Sequence, residues 1–174
     1  MDRKAMHFSL IDRIVELTPG RRITALKNLS LAEEYLADHF PQFPVMPGVL
    51  MLEAMVQAGA WLVRASEDFA HSMVVLRQAS NVKYGRFVVP GQTLRVEAEI
   101  LGQTAEETRL KAQGTVEGQF AVGGRLVLVR YNLADTQPER KYADDWVRKE
   151  LRKKFRLLYL GGEVETASSA HAGS

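Results

Sequence analysis

Hydrophobic and polar positions in this chain follow the two-residue period of strands in several segments and a helical pattern in one long stretch. Residues 10–18 and 22–29 flank the turn pair Pro19-Gly20, so they predict a β-hairpin. After residue 72 the strand pattern returns and indicates four further strands. These segments are residues 73–82, 93–101, 108–117 and 125–133, which Pro90-Gly91, Gly102 and Gly123-Gly124 separate.

The longest helical stretch runs from Pro47-Gly48 to about Ala65 and is apolar on nearly every side. Such a helix is usually buried at the centre of a domain, and proline is favoured at its first position. A shorter helix is predicted over residues 31–36, with Ser30 as N-cap and Glu33 completing a capping box. The order predicts an α+β fold, in which one antiparallel sheet of about six strands wraps around one central helix.

The C-terminal part of the chain differs from this core, which spans residues 1–137. Residues 138–160 place apolar and aromatic side chains at roughly helical spacing among many charges, which predicts a basic amphipathic helix that ends at Gly161-Gly162. Residues 161–174 are rich in Ser, Ala and Gly and predict a disordered tail. We expect the aromatic residues of the helix to serve in packing: Trp146, Phe155 and Tyr159.

Composition narrows the chemistry and the location. The chain has no cysteine, which excludes disulfides, thiolate metal sites and cysteine nucleophiles, and no metal or cofactor site is indicated. No secretory signal and no window of about 18 apolar residues is found, so we expect a soluble, cytoplasmic protein without a membrane span. Residues 1–137 carry 15 basic and 15 acidic side chains, so the net charge of +2 lies in residues 138–174. That excess does not predict nucleic-acid binding, but it can attract a small acidic protein.

Candidate catalytic side chains lie where a loop stiffened by three prolines meets the central helix. His39 precedes this loop, and a stiff loop can hold a catalytic side chain in a fixed position. Glu53 is a lone carboxylate in an apolar helix, and Gln57 lies on the same face one turn later. A histidine and a glutamate can act as general base and general acid. The plainer alternatives are a surface histidine and a structural carboxylate paired with Arg64 or Arg22.

The stretch from His39 to Gln57, HFPQFPVMPGVLMLEAMVQ, resembles the motif of the 3-hydroxyacyl-[acyl-carrier-protein] dehydratases, the FabZ/FabA family of hotdog folds. Weaker similarity lies in residues 17–30 and 86–94, so the resemblance covers about residues 8–134. Glutamate rather than aspartate at position 53 favours the FabZ type, which dehydrates, over the FabA type, which also isomerises the double bond.

The resemblance implies a hotdog fold and an enzyme that removes water from a (3R)-3-hydroxyacyl thioester, carried by acyl carrier protein, to give the trans-2-enoyl thioester. His39 would take the α-proton, and Glu53, oriented by Gln57, would protonate the departing hydroxyl. The backbone N–H of Gly48 would polarise the thioester carbonyl. In the family the histidine and the glutamate of one site come from different subunits. We therefore expect a homodimer or a trimer of dimers, and no cofactor.

Two positions depart from the family pattern, since Asp38 and Gln42 stand where glycine is usual. Gln42 and Phe43 would lie at the mouth of the substrate tunnel. One alternative function is a hotdog thioesterase, in which Glu53 activates water. The other is a non-catalytic subunit that binds acyl carrier protein, which the two departures and the added tail favour. The basic residues 148–156 are expected to dock the acidic carrier or to pack on the dimer.

Overall fold

One antiparallel sheet of six strands dominates the part of the chain that the computed structural model describes, residues 8–38 and 41–160. Its order across the sheet is first, second, fourth, fifth, sixth and third strand, which confirms the predicted α+β architecture. The strands are β1 (Arg13–Thr18), β2 (Arg22–Asn28), β3 (Met73–Tyr84), β4 (Thr93–Gln103), β5 (Glu107–Val116) and β6 (Gln119–Tyr131).

The central helix, α2 (Gly48–Ser66), follows the single helical turn α1 (Tyr35–Asp38) and packs against strands β2 to β6. Ten of its 19 residues are buried. Gly59 faces the sheet, and a Cβ atom there would lie 3.4 Å from a methyl carbon of Leu110 and of Leu128. The missing side chain therefore lets the helix pack closely on β5 and β6.

By length and composition alone, α2 is able to cross a membrane, which corrects the expectation that no segment of the sequence qualifies. However, 56% of the 18-residue window that meets this test is buried inside the protein. A core helix that a sheet surrounds and a helix that spans a membrane have similar compositions, because apolar neighbours surround both of them in place of water.

The turn between β5 and β6 lies at Glu117 and Gly118, whose φ angles are 52° and 75°. The prediction that Gly123-Gly124 separates the last two strands is wrong, because both glycines lie inside β6. A Cβ at Gly123 would lie 2.8 Å from the Phe120 ring, so that ring occupies the space of the missing side chain. Gly102 likewise lies within β4, at a shift in its pairing with β5.

The helix predicted over residues 31–36 is also wrong, because only the single turn of α1 forms in this region, after residue 34. Ser30 Oγ accepts a hydrogen bond from the N–H of Ala32 at 3.1 Å, which closes a tight turn and caps no helix. Glu33 completes no capping box, since its Oε1 accepts a hydrogen bond from the buried Lys27 Nζ at 2.6 Å.

The predicted C-terminal helix is present as α3 (Lys141–Leu158). Its first turns are anchored by the buried Asp144, whose carboxylate accepts hydrogen bonds from Ser72 Oγ and from two backbone N–H groups. Those N–H groups belong to Leu133 and Ala134, each 2.9 Å away. This network fixes the start of α3 to the beginning of β3 and to the end of β6.

Aromatic packing fixes the other end of α3. The Phe155 ring lies 6.0 Å from Trp61, 5.4 Å from Phe69 and 5.7 Å from Tyr159, between ring centroids, which confirms the predicted packing of Phe155 and Tyr159. Gly161-Gly162 and the tail of residues 161–174 lie outside the described residues. The division at residues 137 and 160 therefore stays a prediction.

Two arginines of the basic stretch bind to the domain itself. Arg152 Nη1 lies 2.9 Å from Asp68 Oδ1, and Arg148 Nη1 donates to the carbonyl oxygen of Ala70 at 3.1 Å. Lys149, Lys153 and Arg156 are exposed. These three side chains are the part of the stretch that can meet a partner.

Candidate active site

Glu53 lies on α2, lines a groove and is half-buried. Its Oε1 accepts a hydrogen bond from Gln57 Nε2 at 3.2 Å, as their spacing along the helix predicts. Within residues 8–38 and 41–160, no salt bridge includes Glu53, so the alternative pairing with Arg64 or Arg22 is not observed. Its carboxyl group therefore meets the groove without a counter-charge among the described residues.

The amide of Gln57 is fixed on both sides by the segment that precedes β1. Its Oε1 accepts a hydrogen bond from the Leu10 N–H at 2.8 Å, and its Nε2 donates to the carbonyl oxygen of Phe8 at 2.9 Å. The same Nε2 reaches Glu53. The backbone thus orients Gln57, and Gln57 orients the carboxylate, which is the arrangement that a positioned proton donor needs.

The groove has a volume of about 850 Å³, and Glu53 and Gln57 line it together with parts of α2 and α3. Trp146, which we expected only to pack, is half-exposed and lines the groove from α3. A volume of this size accommodates a ligand with a long apolar chain. The apolar side chains that line it include Val56, Ala60, Trp61, Leu151 and Leu157.

Gly48 is the first residue of α2, where backbone N–H groups have no partner within the helix. A Cβ atom at this position would lie 3.0 Å from Cε1 of Tyr84, so the ring of Tyr84 packs closely against the start of the helix. Five residues separate Gly48 from Glu53, which puts them on different sides of the helix. The groove brings Glu53 and Gln57 together, whereas Gly48 is not among the residues that line it.

The predicted tunnel-mouth residues, Gln42 and Phe43, are exposed and do not line the groove of the single chain. The Phe43 ring packs edge-on against Phe87, with 6.5 Å between centroids. Asp38 is exposed at the end of α1. His39 lies outside the described residues, so its role remains the one that the sequence predicts.

Two cationic groups in the groove were not recognised from the sequence as functional. Arg64 lies on the same side of α2 as Glu53, three turns further on, and Lys154 approaches from α3. Burial lowers the pKa of Arg64 to about 10. Burial and the nearby charge of Arg64 lower the pKa of Lys154. The spacing of Glu53, Gln57 and Arg64 along one helix face was the available signal for Arg64.

Groups of three or more metal-binding side chains are not found among the residues that the structure describes. The polar groups of the groove are a carboxylate, an amide and the cations at its far end. They are suited to proton transfer and to binding of an anion.

Comparison with known proteins agrees with this chemistry. A family model described as a FabA-like domain matches residues 3–129. A curated relative from Ruminiclostridium cellulolyticum, named 3-hydroxyacyl-[acyl-carrier-protein] dehydratase FabZ, is 38% identical over 119 residues, covering 68% of this chain and 84% of the relative. A relative of the same name from Geobacillus thermodenitrificans is 39% identical over 120 residues, covering 69% and 83%.

Solved structures support the hotdog fold. The dehydratase heterocomplex ApeI:P from Xenorhabdus doucetiae superposes with a TM-score of 0.62 at 18% identity, covering 76% of this chain and 90% of that chain. The smu.793 protein from Streptococcus mutans, solved with acetyl CoA, gives a TM-score of 0.55 at 14% identity, with coverage of 74% and 94%. The family model ends at residue 129, so α3 lies outside the region that it matches.

Proposed function

This chain belongs to the FabA-like domain family, and from that premise we propose that it is a FabZ-type 3-hydroxyacyl-[acyl-carrier-protein] dehydratase of fatty-acid biosynthesis. The observation that supports this most strongly is Glu53, held by Gln57 and exposed to a large apolar groove. The substrate is a (3R)-3-hydroxyacyl thioester on acyl carrier protein, and the product is the trans-2-enoyl thioester.

The reaction needs a base at the α-carbon and an acid at the 3-hydroxyl. His39 takes the α-proton, the electron pair forms the new carbon–carbon double bond, and the carbon–oxygen bond breaks. Hydroxide is a poor leaving group, so Glu53 protonates the oxygen as it departs and water is released. The N–H of Gly48, with the dipole of α2 behind it, stabilises the negative charge that develops on the thioester oxygen.

The site is completed by a second copy of the chain. The resemblance to the FabZ/FabA family implies that the histidine and the glutamate of one site, His39 and Glu53, come from different subunits. The strand β3 is at an edge of the sheet, and its Leu76, Arg77 and Gln78 are exposed. An exposed edge of 12 residues is suited to pair with the same strand of another subunit. We propose a homodimer or a trimer of dimers.

Acyl carrier protein is the second partner, and the protein acts in the cytoplasm without a cofactor. The exposed Lys149, Lys153 and Arg156 on α3 provide positive charge for an acidic carrier. Such exposed charges increase the association rate more than the affinity.

The test is the absorbance of the enoyl thioester, measured with 3-hydroxyacyl substrates on carrier protein for the wild type and for Glu53→Gln. The matched control is Glu150→Gln, because Glu150 also lines the groove but pairs with Lys153 at 2.8 Å. We expect Glu53→Gln to lower kcat by about 10²- to 10⁴-fold and the control to retain activity. Normal turnover by folded Glu53→Gln would contradict the proposal.

A second candidate is a non-catalytic subunit that binds acyl carrier protein. The favouring observation is that Asp38 and Gln42, which replace the usual glycines and are close to His39 in sequence, are both exposed. Tight binding of acylated carrier by wild type, with no turnover at any chain length, would establish it. Release of free thiol without enoyl product would instead establish the thioesterase alternative.

A further inference from the structure

The groove beside Glu53 is polar at both ends and apolar between them. On α2, Glu53, Gln57, Ala60 and Arg64 follow one another at helical spacing and all line the groove. The helical rise puts the backbone of Arg64 about 16 Å beyond that of Glu53. A ligand that reaches from one end to the other must therefore have a long apolar middle and two polar ends.

Arg64 is a half-buried cation without a counter-charge among the described residues. Its Nε is buried and has no hydrogen-bond partner, and no salt bridge of residues 8–38 and 41–160 includes it. Its guanidinium carbon lies 5.3 Å from the centroid of the Trp61 ring. That contact stabilises a cation only in part, and a buried charge without an anion is costly.

Lys154 increases this cost, because it brings a second positive charge into the same part of the groove. Burial and then the positive charge of Arg64 lower the pKa of Lys154, as expected for two like charges in one groove. The two remaining charged groups on the α3 side, Lys153 and Glu150, pair with each other 2.8 Å apart. An anion in the groove would therefore relieve the repulsion between Arg64 and Lys154 and supply the missing partner of Arg64.

We propose that the Arg64 end of the groove binds an anionic group at the far end of the acyl chain, so that the substrates are 3-hydroxyacyl thioesters that end in a carboxylate. This rests on the dehydratase function proposed above, in which Glu53 acts at carbon 3. Because a zigzag chain with carbon–carbon bonds of about 1.5 Å advances about 1.25 Å per carbon, the distance of about 16 Å corresponds to roughly 13 carbons beyond carbon 3. The lining between the two ends is apolar, which suits a methylene chain better than the amides of a pantetheine arm.

The experiment compares two series of 3-hydroxyacyl thioesters of N-acetylcysteamine, one with a terminal methyl group and one with a terminal carboxylate, at matched lengths. For wild type we expect kcat/KM to favour the carboxylate by about tenfold at one chain length. Arg64→Leu should lose this preference, and Arg64→Lys, which keeps the charge, should retain most of it. Lys141→Met is the control, since it removes one charge from α3 outside the groove and should behave as wild type.

Three results would overturn the proposal, and they are distinguishable. Turnover of both series without preference contradicts the terminal anion and leaves the dehydratase function intact. No turnover of either series by folded wild type, also on carrier protein, contradicts both proposals. If Arg64→Leu impairs phosphopantetheine thioesters but leaves the terminal-carboxylate preference unchanged, the anion is the phosphate of the carrier arm and the proposal is wrong.

Discussion

The two faces of α2 are built from different residues although they belong to one helix. The face toward the sheet carries fully buried apolar side chains such as Met55 and Leu62, and it has Gly59 where the strands come closest. The face toward α3 carries Glu53, Gln57 and Arg64, and it remains partly exposed. The first face stabilises the fold, whereas the second keeps polar groups where a substrate reaches them.

The two faces of α2 differ in the free energy that their side chains gain or lose on burial. A buried leucine is stabilised by every neighbour, but a cation with a buried Nε and no partner is stabilised only when a ligand arrives. The effect of replacing Arg64 on stability should therefore differ from that of replacing a core leucine in sign and not only in size. The predictions below test that expectation, beginning with the largest effect on stability.

Leu62→Ala removes a side chain that is fully buried against the sheet. We expect the free energy of unfolding to fall by about 2–5 kcal/mol, from lost burial and the cavity that remains. Urea unfolding measures this, with the half-exposed Leu101→Ala as control. A loss below 1 kcal/mol would mean that this face is more adaptable than its packing indicates.

Gln57→Leu removes three hydrogen bonds, to Glu53, Phe8 and Leu10, on the groove face. We expect a loss of about 1–3 kcal/mol in stability, because the N–H of Leu10 is left without its partner. Because the carboxyl group of Glu53 is no longer oriented, kcat should also fall, with KM little changed. Gln113→Leu on the exposed side of β5 is the matched control. Unchanged kcat would show that Gln57 does not position Glu53.

Asp144→Asn tests how α3, the other wall of the groove, is attached. Burial raises the pKa of Asp144, but hydrogen bonds from Ser72, Ala134 and Leu133 and the charge of Arg148 lower it by more, so its pKa lies below the usual value. A carboxyl group with a depressed folded pKa contributes stability above its unfolded pKa of about 3.9. That contribution is lost as the pH falls through the folded pKa.

We therefore expect the urea midpoint of wild type to exceed that of Asp144→Asn by a constant amount from neutral pH down to about pH 4. Below that pH the difference should narrow. The exposed neighbour Asp145→Asn serves as the control. A difference between wild type and Asp144→Asn that is independent of pH would contradict the depressed pKa.

Arg64→Leu should change the free energy of unfolding least, and its effect should have the opposite sign. Replacing an unpaired, half-buried cation by an apolar side chain should leave the free energy of unfolding unchanged or raise it by about 1 kcal/mol. Thermal unfolding at equal concentrations of subunit measures it. A clear loss of stability would show that a group of the partner subunit already neutralises Arg64.

The strands, the central helix and the Glu53–Gln57 pair could be predicted from the sequence, because burial periodicity and helical spacing are local properties. The start of β6 could not be predicted, since Gly123-Gly124 has the composition of a turn. These glycines lie inside a strand because the Phe120 ring packs over Gly123. The place where α3 docks depends on the side chains that Asp144 and Phe155 reach, which lie far away in sequence. For the same reason, the partly closed groove and the role of Arg64 were not predictable.

The positions of Trp61 and Trp146 have a practical consequence. They are the two tryptophans of the chain, and both line the groove, one from α2 and the other from α3. Light at a wavelength that only tryptophan absorbs therefore excites only side chains that line the groove. The natural emission of the unlabelled protein is thus an optical reporter of ligand entry, and energy transfer from either indole to a coloured ligand would measure how deeply that ligand enters.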